Sequence, residues 1–414
     1  MKNISKYLGS LAVLLLCLAC GDNMVEKGPI KRSGQADVIS LDDDWRFIRY
    51  GLQADGTRVE EPAGMFEPAT DDSDWETLDV PHDFAIKGPF RMDLAGNTGR
   101  LPFQGIGWYR KTFTVDEADQ GKRFYVDFDG VMANAQVWLN GEYVGTWPYG
   151  YNSFRLDLTP FIQVGKENLL AVRTDTEKWD SRWYPGAGIY RHVWLVKTGQ
   201  VHVRHWGTKM ETTNLTEKTA DLHFTVEVEN HLNEETQAVV KTSVYELDSL
   251  DCLGKRVLRF DDQTLPLKAM SAGKVDLQKQ IDDCKRWDIE SPNRYMACVT
   301  IQVDGEETDR YYTPFGVRET SVSRDGFFLN GRRVEIKGVC NHHDLGALGA
   351  AFNRSALERQ FRIMREMGCN SIRTSHNPPA PELLDLADKT GMLIMDEAFD
   401  AWAHGKREWD YNKL

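Results

Sequence analysis

The sequence predicts a multidomain chain: a β-sandwich of jelly-roll type, then an immunoglobulin-like β-sandwich, then the first three βα units of an incomplete TIM barrel. Three observations carry this expectation. From Ser40 to about Lys197, short strand-like runs recur at sandwich spacing. From about Val201 to Val317, longer runs alternate in period two and contain no cluster of chemically active side chains. From Glu319 onward, short apolar runs alternate with helix-like runs, the pattern of parallel βα units. At about 150 residues per domain, the length fits two to three domains, each able to bury a core.

The N-terminus reads as an export signal. Lys2 and Lys6 form a basic start, and Leu8 to Ala19 is apolar but too short to span a bilayer as a lone helix. Leu18-Ala19-Cys20-Gly21 resembles a bacterial lipoprotein cleavage box with Cys20 as the lipidated residue, although Cys17 stands where such boxes usually carry Leu. The expected division is residues 1–20 as signal peptide, 21–36 as a Gly/Lys/Ser-rich tether, 37–200, 201–318 and 319–414 as the three domains. The expected address is the periplasm or outer membrane, with a membrane partner reached through the lipid.

Net charge is −13 and no basic block occurs, which argues against a nucleic-acid partner. Of seven cysteines, Cys252, Cys284, Cys298, Cys340 and Cys369 lie beyond the signal region. None has zinc-site spacing. Export permits a Cys252–Cys284 disulfide, but buried thiols are the simpler expectation.

In the first sandwich, the strand-like runs are 108–115, 123–131, 135–145, 154–162, 169–175 and 192–199, and Asn140-Gly141 is a two-residue hairpin signal. Its many tryptophans are expected mostly in the core; Trp179, Trp183 and Tyr184, in a loop-like run, are the candidates for exposed, sugar-stacking positions. In the second sandwich, 222–230, 238–247, 274–281 and 295–305 alternate cleanly. After a further hairpin signal at Asn330-Gly331, residues 355–368 form a helix with Leu357, Phe361, Ile363, Met364 and Met367 on one side. Ser355 and Glu358 are spaced as a capping box and Gly368 closes the helix. A second helix starts at Pro381 and ends at Gly391.

Three apolar runs of this last segment end in polar clusters that include His342, His343 and Asp344; Arg373 and His376; and Asp396, Glu397 and Asp400. Barrel active sites are built at such strand ends. These groups suit a polyhydroxylated ligand, a metal or a carbonyl. No HxxxH spacing supports a dedicated zinc site, and the lack of a G-x-S-x-G elbow or a phosphate loop disfavours acyl and phosphoryl transfer. Two carboxylates about 5 Å apart for retention, or roughly 6.5–9.5 Å for inversion, would give glycoside hydrolysis. A strand-end Asp-Glu is as readily a structural ion pair.

Several ordered stretches carry a resemblance: VPHDF (80–84), GWYRKTF (107–113), FDGVMANAQVWLNGEYVG (128–145), SRWYPGAGIYRHVWL (181–195), FFLNGRRVEIKGVCNHHDLG (327–346), NSIRTSHNPP (370–379) and MDEAFDAW (395–402). Together they resemble glycoside hydrolase family 2, the β-galactosidase and β-glucuronidase family. The resemblance implies a sugar-binding jelly roll, a spacer sandwich and a catalytic barrel. It implies retaining hydrolysis of terminal β-linked sugars, with β-galactosides first, and an oligosaccharide or β-glycoside as substrate. Asp83 matches a residue that reaches a sugar hydroxyl from the jelly roll, and Arg182 a second polar contact from the same domain. His342 and His376 match histidines that contact the sugar, and Arg373 an arginine that orients the site from beneath.

In this family the acid/base is the Glu of an Asn-Glu pair ending the fourth barrel strand, and the nucleophile is a Glu ending the seventh. After residue 319 the chain has no Asn-Glu; Asn233-Glu234 falls in the spacer. Both catalytic carboxylates are therefore expected beyond Leu414, no catalytic residue is assigned here, and Asp396, Glu397 and Asp400 are not substitutes. The family's magnesium or sodium ion belongs to the full-length expectation only, and no other cofactor is implied. Assembly into a homo-oligomer stays open. Two other readings stand beside a β-galactosidase fragment: a non-catalytic carbohydrate-binding lipoprotein, and a member with β-glucuronidase or β-mannosidase specificity.

Overall fold

The computed structural model describes residues 28–177, 181–401 and 403–406; the export-signal segment with Cys20, and Trp179, lie outside the described residues. No helix among the described residues is long and apolar enough to cross a membrane.

The first sandwich packs two antiparallel sheets. One runs Phe154–Asp157, Arg123–Phe128, Val193–Thr198, Val38–Ser40. The other runs Arg58–Val59, Trp45–Leu52, Ile106–Thr114, Glu167–Asp175, Ala135–Leu139, Glu142–Trp147, with Glu76–Leu78 also paired to Trp45–Leu52. Alternate inward side chains, among them Trp45, Tyr109, Phe124, Val126, Phe128 and Leu170, fill the space between them. The Asn140-Gly141 turn forms as expected, with φ of +55° and +86° suiting a two-residue hairpin.

The second sandwich pairs Val201–Thr213, Ala220–Asn230 and Ser271–Ile281 in one sheet. The facing sheet contains Glu306–Phe315, Arg294–Val303, Thr236–Leu247, Leu253–Arg259 and Gln263–Leu267. Along Ala220–Asn230 every second residue is buried, the period-two pattern realised in full. None of the five cysteines is joined in a disulfide. Cys340 is exposed, contrary to the expectation of a buried thiol, because it sits on a barrel strand with an open face.

A further correction concerns residues 28–36, expected as a tether. Gly34–Gln35 pairs with Tyr312 and Tyr311 as an extra strand of the second sandwich. Arg32 is held by Asp127 and Asp129 of the first, at 2.8 and 2.9 Å. Buried partners with exact geometry outweigh a composition that looks like linker.

The last segment opens with a three-stranded antiparallel unit, Thr320–Ser323, Gly326–Leu329 and Arg332–Val334, turning at Asn330-Gly331. Then come three parallel strands, β1 (Gly338–Asn341), β2 (Ser371–Thr374) and β3 (Leu393–Met395), with β2 in the centre. Helix α1 (Arg354–Glu366) buries Leu357, Phe361 and Met364. Met367 lies past the helix and is exposed. Its N-cap is Asn353, whose side chain accepts from the Ala356 amide, so the cap is two residues earlier than the Ser355 capping box. Helix α2 (Pro381–Thr390) starts on its proline and ends on Gly391 in the left-handed conformation, as expected. Three parallel strands of the barrel and the two helices between them are therefore present among the described residues, with the helices covering the face that carries Ile372.

Candidate functional site at the barrel strand ends

Parallel pairing sets the site. Cys340 of β1 lies beside Arg373 of β2, which lies beside Met395 of β3, so the residues that follow each strand emerge at one end. Arg373 is the hub. Its guanidinium forms an ion pair with Glu397, and Nη1 reaches Cys340 Sγ at 3.5 Å. The contact with Arg373 lowers the thiol of Cys340 below the usual cysteine range.

His376 Nδ1 lies 3.0 Å from Glu397 Oε2 and 3.3 Å from Arg373 Nη2. Arginine can only donate. The shorter contact, to the carboxylate, requires a proton on Nδ1, which leaves Nε2 as the acceptor in the neutral ring. His342 is fixed by the same logic. Its Nδ1 donates to Ser375 O at 2.8 Å, and Nε2 is left available. His342 is exposed at the strand ends. The rings of His342 and His376 meet edge to face, 5.5 Å apart.

The jelly roll supplies the wall. Trp183 stacks on His342 at 5.5 Å and 12°, and tilts over His376 at 5.2 Å. Arg182 reaches across to Asp400 at 2.6 Å, and Lys406 holds the same carboxylate at 3.0 Å. Desolvation would raise the pKa of Asp400, but these cations bring it below the usual range. Arg182, Arg373, His376, Glu397 and Asp400 line an open cavity of about 560 Å³.

The expected site residues fall into two groups. Arg182, Arg373 and His376 line the cavity, and His342 joins them through Trp183. Asp83 does not. It is 1 % exposed, and its carboxylate accepts from the amides of Ala85, Ala187 and Ala350 and from Tyr184 OH at 2.6–3.1 Å. With both oxygens filled, Asp83 clamps the jelly-roll loop to the barrel loop at Ala350, and no sugar hydroxyl can reach it. Two glycines permit that approach. A Cβ on Gly186 would meet Ala350 Cβ at 2.3 Å, and one on Gly349 would meet Asp83 Oδ2 at 2.4 Å.

Trp183 is a second correction. It is buried, with Tyr184 half-buried beneath it, because the loop is pressed between the two domains. Glu397 was set aside as a catalytic stand-in; the structure makes it the anchor of Arg373 and His376. The signal for that role was its place at a strand end next to β2. Arg191 carried no expectation. Its buried guanidinium donates to Asp129 O, Tyr151 O, Pro378 O and Pro379 O, fixing the loop that carries His376.

Among the described residues, the strand-end carboxylates do not converge on a cation cage. Glu397 faces Arg373 and His376, and Asp400 faces Arg182 and Lys406. The residues present therefore do not fit the family's magnesium ion at this place.

This build defines a class: a multidomain βα-barrel protein whose strand-end site is walled by a β-sandwich. Comparison with known proteins makes it specific. Residues 39–199 match the family model "Glycosyl hydrolases family 2, sugar binding domain", 201–318 match "Glycosyl hydrolases family 2", and 320–409 match "Glycosyl hydrolases family 2, TIM barrel domain". The chain belongs to glycoside hydrolase family 2. Beta-galactosidase BoGH2A of Bacteroides ovatus is 46% identical over 376 residues, 89% of this chain and 42% of that protein. A putative beta-glucuronidase of Formosa agariphila is 36% identical over 387 residues, 92% of this chain and 35% of that protein. A solved family 2 member from Bacteroides cellulosilyticus superposes with a TM-score of 0.83 at 34% identity, covering 91% of this chain and 48% of its own. The chain thus spans less than half the length of these relatives.

Proposed function

We propose that this chain is the sugar-positioning part of a retaining β-glycosidase, acting first on terminal β-galactosides. The observation that carries the reading is the cavity where Arg373, His376 and Glu397 from the barrel meet Arg182 and the Trp183–His342 pair. Two imidazoles with assigned tautomers present acceptors at its rim. The tryptophan fixes His342, and the Arg373–Glu397 pair fixes His376. A ring of hydroxyls is the ligand such a rim holds. The similarity to a beta-galactosidase at 46% identity supports galactose as the first sugar to test.

The bond-breaking step needs two carboxylates about 5 Å apart, one attacking the anomeric carbon while the other protonates the leaving oxygen. Glu397 and Asp400 are committed to ion pairs and Asp396 accepts from Thr374 Oγ1, so on this reading those two groups would come from later barrel strands. The same reading has the protein exported and held at a membrane through lipid on Cys20.

The test uses two forms, the 414-residue chain and the same chain extended through the following barrel strands. The extended form should hydrolyse a chromogenic β-galactoside faster than the β-glucuronide, with retention at the anomeric carbon. The 414-residue chain should bind galactose without turnover, and His376→Ala should weaken that binding by about tenfold, the worth of one good hydrogen bond. Hydrolysis by the 414-residue chain at the rate of the extended form would refute the reading.

A further inference from the structure

A second cluster lies far from the strand ends, where the two sandwiches meet. His202 begins strand Val201–Thr213, and Glu229 is its direct cross-strand partner near the end of Ala220–Asn230. His231 follows two residues later, on the same side. Antiparallel pairing thus brings two imidazoles and a carboxylate to one spot. One ligand atom from each lies within 4.8 Å of the other two, and among the described residues no other such trio of His, Cys, Asp or Glu occurs.

The details favour coordination over a chance meeting. Glu229 Oε2 sits between the rings, 3.7 Å from His202 Nε2 and 3.3 Å from His231 Nε2. Its other oxygen faces Arg204 Nε at 3.4 Å, which orients the carboxylate. His202 is buried, and its Nδ1 donates to Gly199 O at 3.0 Å. That bond puts the proton on Nδ1 and leaves Nε2 as a ligand atom, the usual outer-shell arrangement of metal-bound histidine. The two rings are parallel, 3° apart in plane, with centroids 5.1 Å apart.

Tyr125 OH of the jelly roll lies 3.3 Å from His202 Nε2, a long bond that an ion could displace. The nearby cations are already neutralised. Arg123 pairs with Asp157, and Arg155 grips Asp127 at 2.6 and 2.9 Å.

We propose that His202, Glu229 and His231 bind one transition-metal dication of the zinc type, with solvent completing the shell. Nitrogen and carboxylate ligands at about 2.0–2.2 Å from a tetrahedral ion stand roughly 3.3–3.6 Å apart. The carboxylate has that spacing to His231 at 3.3 Å and stands slightly beyond it from His202 at 3.7 Å. Only the two imidazoles must draw together, and half-exposed His231 is free to tilt toward buried His202. Bound there, the ion fastens the start of one strand to the end of its neighbour at the junction with the jelly roll. The site is independent of the strand-end cavity and of the reaction proposed for it.

The experiment takes the tag-free full chain, stripped with a chelator, and titrates Zn²⁺ against a chromophoric competitor. Co²⁺ is added separately to read ligand geometry from its visible absorption. One Zn²⁺ per chain should bind at micromolar concentration or below and raise the unfolding midpoint. Co²⁺ should give the intense bands of a four-coordinate nitrogen and oxygen site. Glu229→Gln and His231→Gln should each weaken Zn²⁺ at least tenfold, while their metal-free unfolding midpoints stay near that of the parent. His223→Gln, at an exposed histidine on the same strand, should change nothing. Absence of stoichiometric binding, or binding equally strong in both site variants, overturns the proposal and leaves the trio a hydrogen-bonded cluster.

Discussion

Asp83 shows how a residue can be found by its motif and still be misread. Its burial pushes its pKa up, against four hydrogen bonds that favour the charged form. An amide of the same shape cannot accept from all four donors. Asp83→Asn should therefore cost about 1–3 kcal/mol in urea unfolding, from a donor left facing a donor. Galactose affinity of the folded fraction should stay within about twofold, because Asp83 is walled off from the cavity.

A second carboxylate sets a pH dependence. Asp309 is fully buried in the second sandwich, accepts from the Val203 amide at 2.9 Å, and is pushed up to about 8 by burial. In the unfolded chain it titrates near 3.9. The folded state thus holds the proton more tightly. Its stabilising contribution is complete below about pH 4 and is lost as pH rises toward 8. Asp309→Asn should remove that slope, so the variant gains on the parent between pH 5 and pH 8, by at most about 1.4 kcal/mol per unit. The parent-to-variant difference is the quantity to follow, since His202, held near 3 by burial, titrates in the opposite sense. Nothing near Asp309 in the sequence marks it as buried. Its strand does not alternate cleanly, with Tyr311 and Tyr312 both buried, and the inward carboxylate is explained by backbone amides, among them that of Val203 from across the sandwich.

At the scale of elements, the period and the turn chemistry were legible. Both Asn-Gly hairpins form, α2 runs from its proline to its glycine, and strand Ala220–Asn230 alternates without a fault. The start of α1 was not. The stretch Phe352-Asn353-Arg354-Ser355 offers two caps, and local pattern favoured Ser355 with Glu358. Tertiary contact chose otherwise. The Phe352 amide donates to Tyr190 O at 2.9 Å, which fixes the entering chain one residue before Asn353. Glu358 is then taken by Arg354 at 3.0 Å and does not fold back. Asn353→Ala should cost about 1 kcal/mol, whereas Ser355→Ala should stay within about 0.5 kcal/mol. Chemical denaturation of the two single variants separates the caps, and a larger loss at Ser355 would restore the capping box. The same limit hid the fate of residues 28–36: a Gly/Ser-rich stretch carries no letter for the edge strand it will join.

For the whole molecule, the question is what holds the jelly roll to the barrel so that the cavity keeps its shape. The sequence separated the barrel segment from the two sandwiches because the period changes near Glu319, but one of the joints between domains is made of backbone carbonyls, which no residue letter announces. Arg191 is the clearest case. Its Nη1 donates to Asp129 O, Tyr151 O and Pro379 O at 3.0–3.2 Å, and Nη2 to Pro378 O at 3.0 Å. Among the described residues no carboxylate forms an ion pair with Arg191; carbonyl dipoles from two domains solvate the charge. Replacing it with methionine keeps the length and removes every donor. Several buried carbonyls then lose their partner, at a cost of about 3 kcal/mol. The loss should fall on the joint, because the core of each sandwich is untouched. Limited proteolysis should accelerate at Ser375–Ala380 well before the sandwiches melt, and galactose binding should weaken as His376 loses its support. Arg191→Lys, keeping the charge but not the planar fork, should recover part of the stability and less of the binding. If the methionine variant melts and cleaves like the parent, apolar packing around Trp183 and Ala350 holds the domains together without the guanidinium.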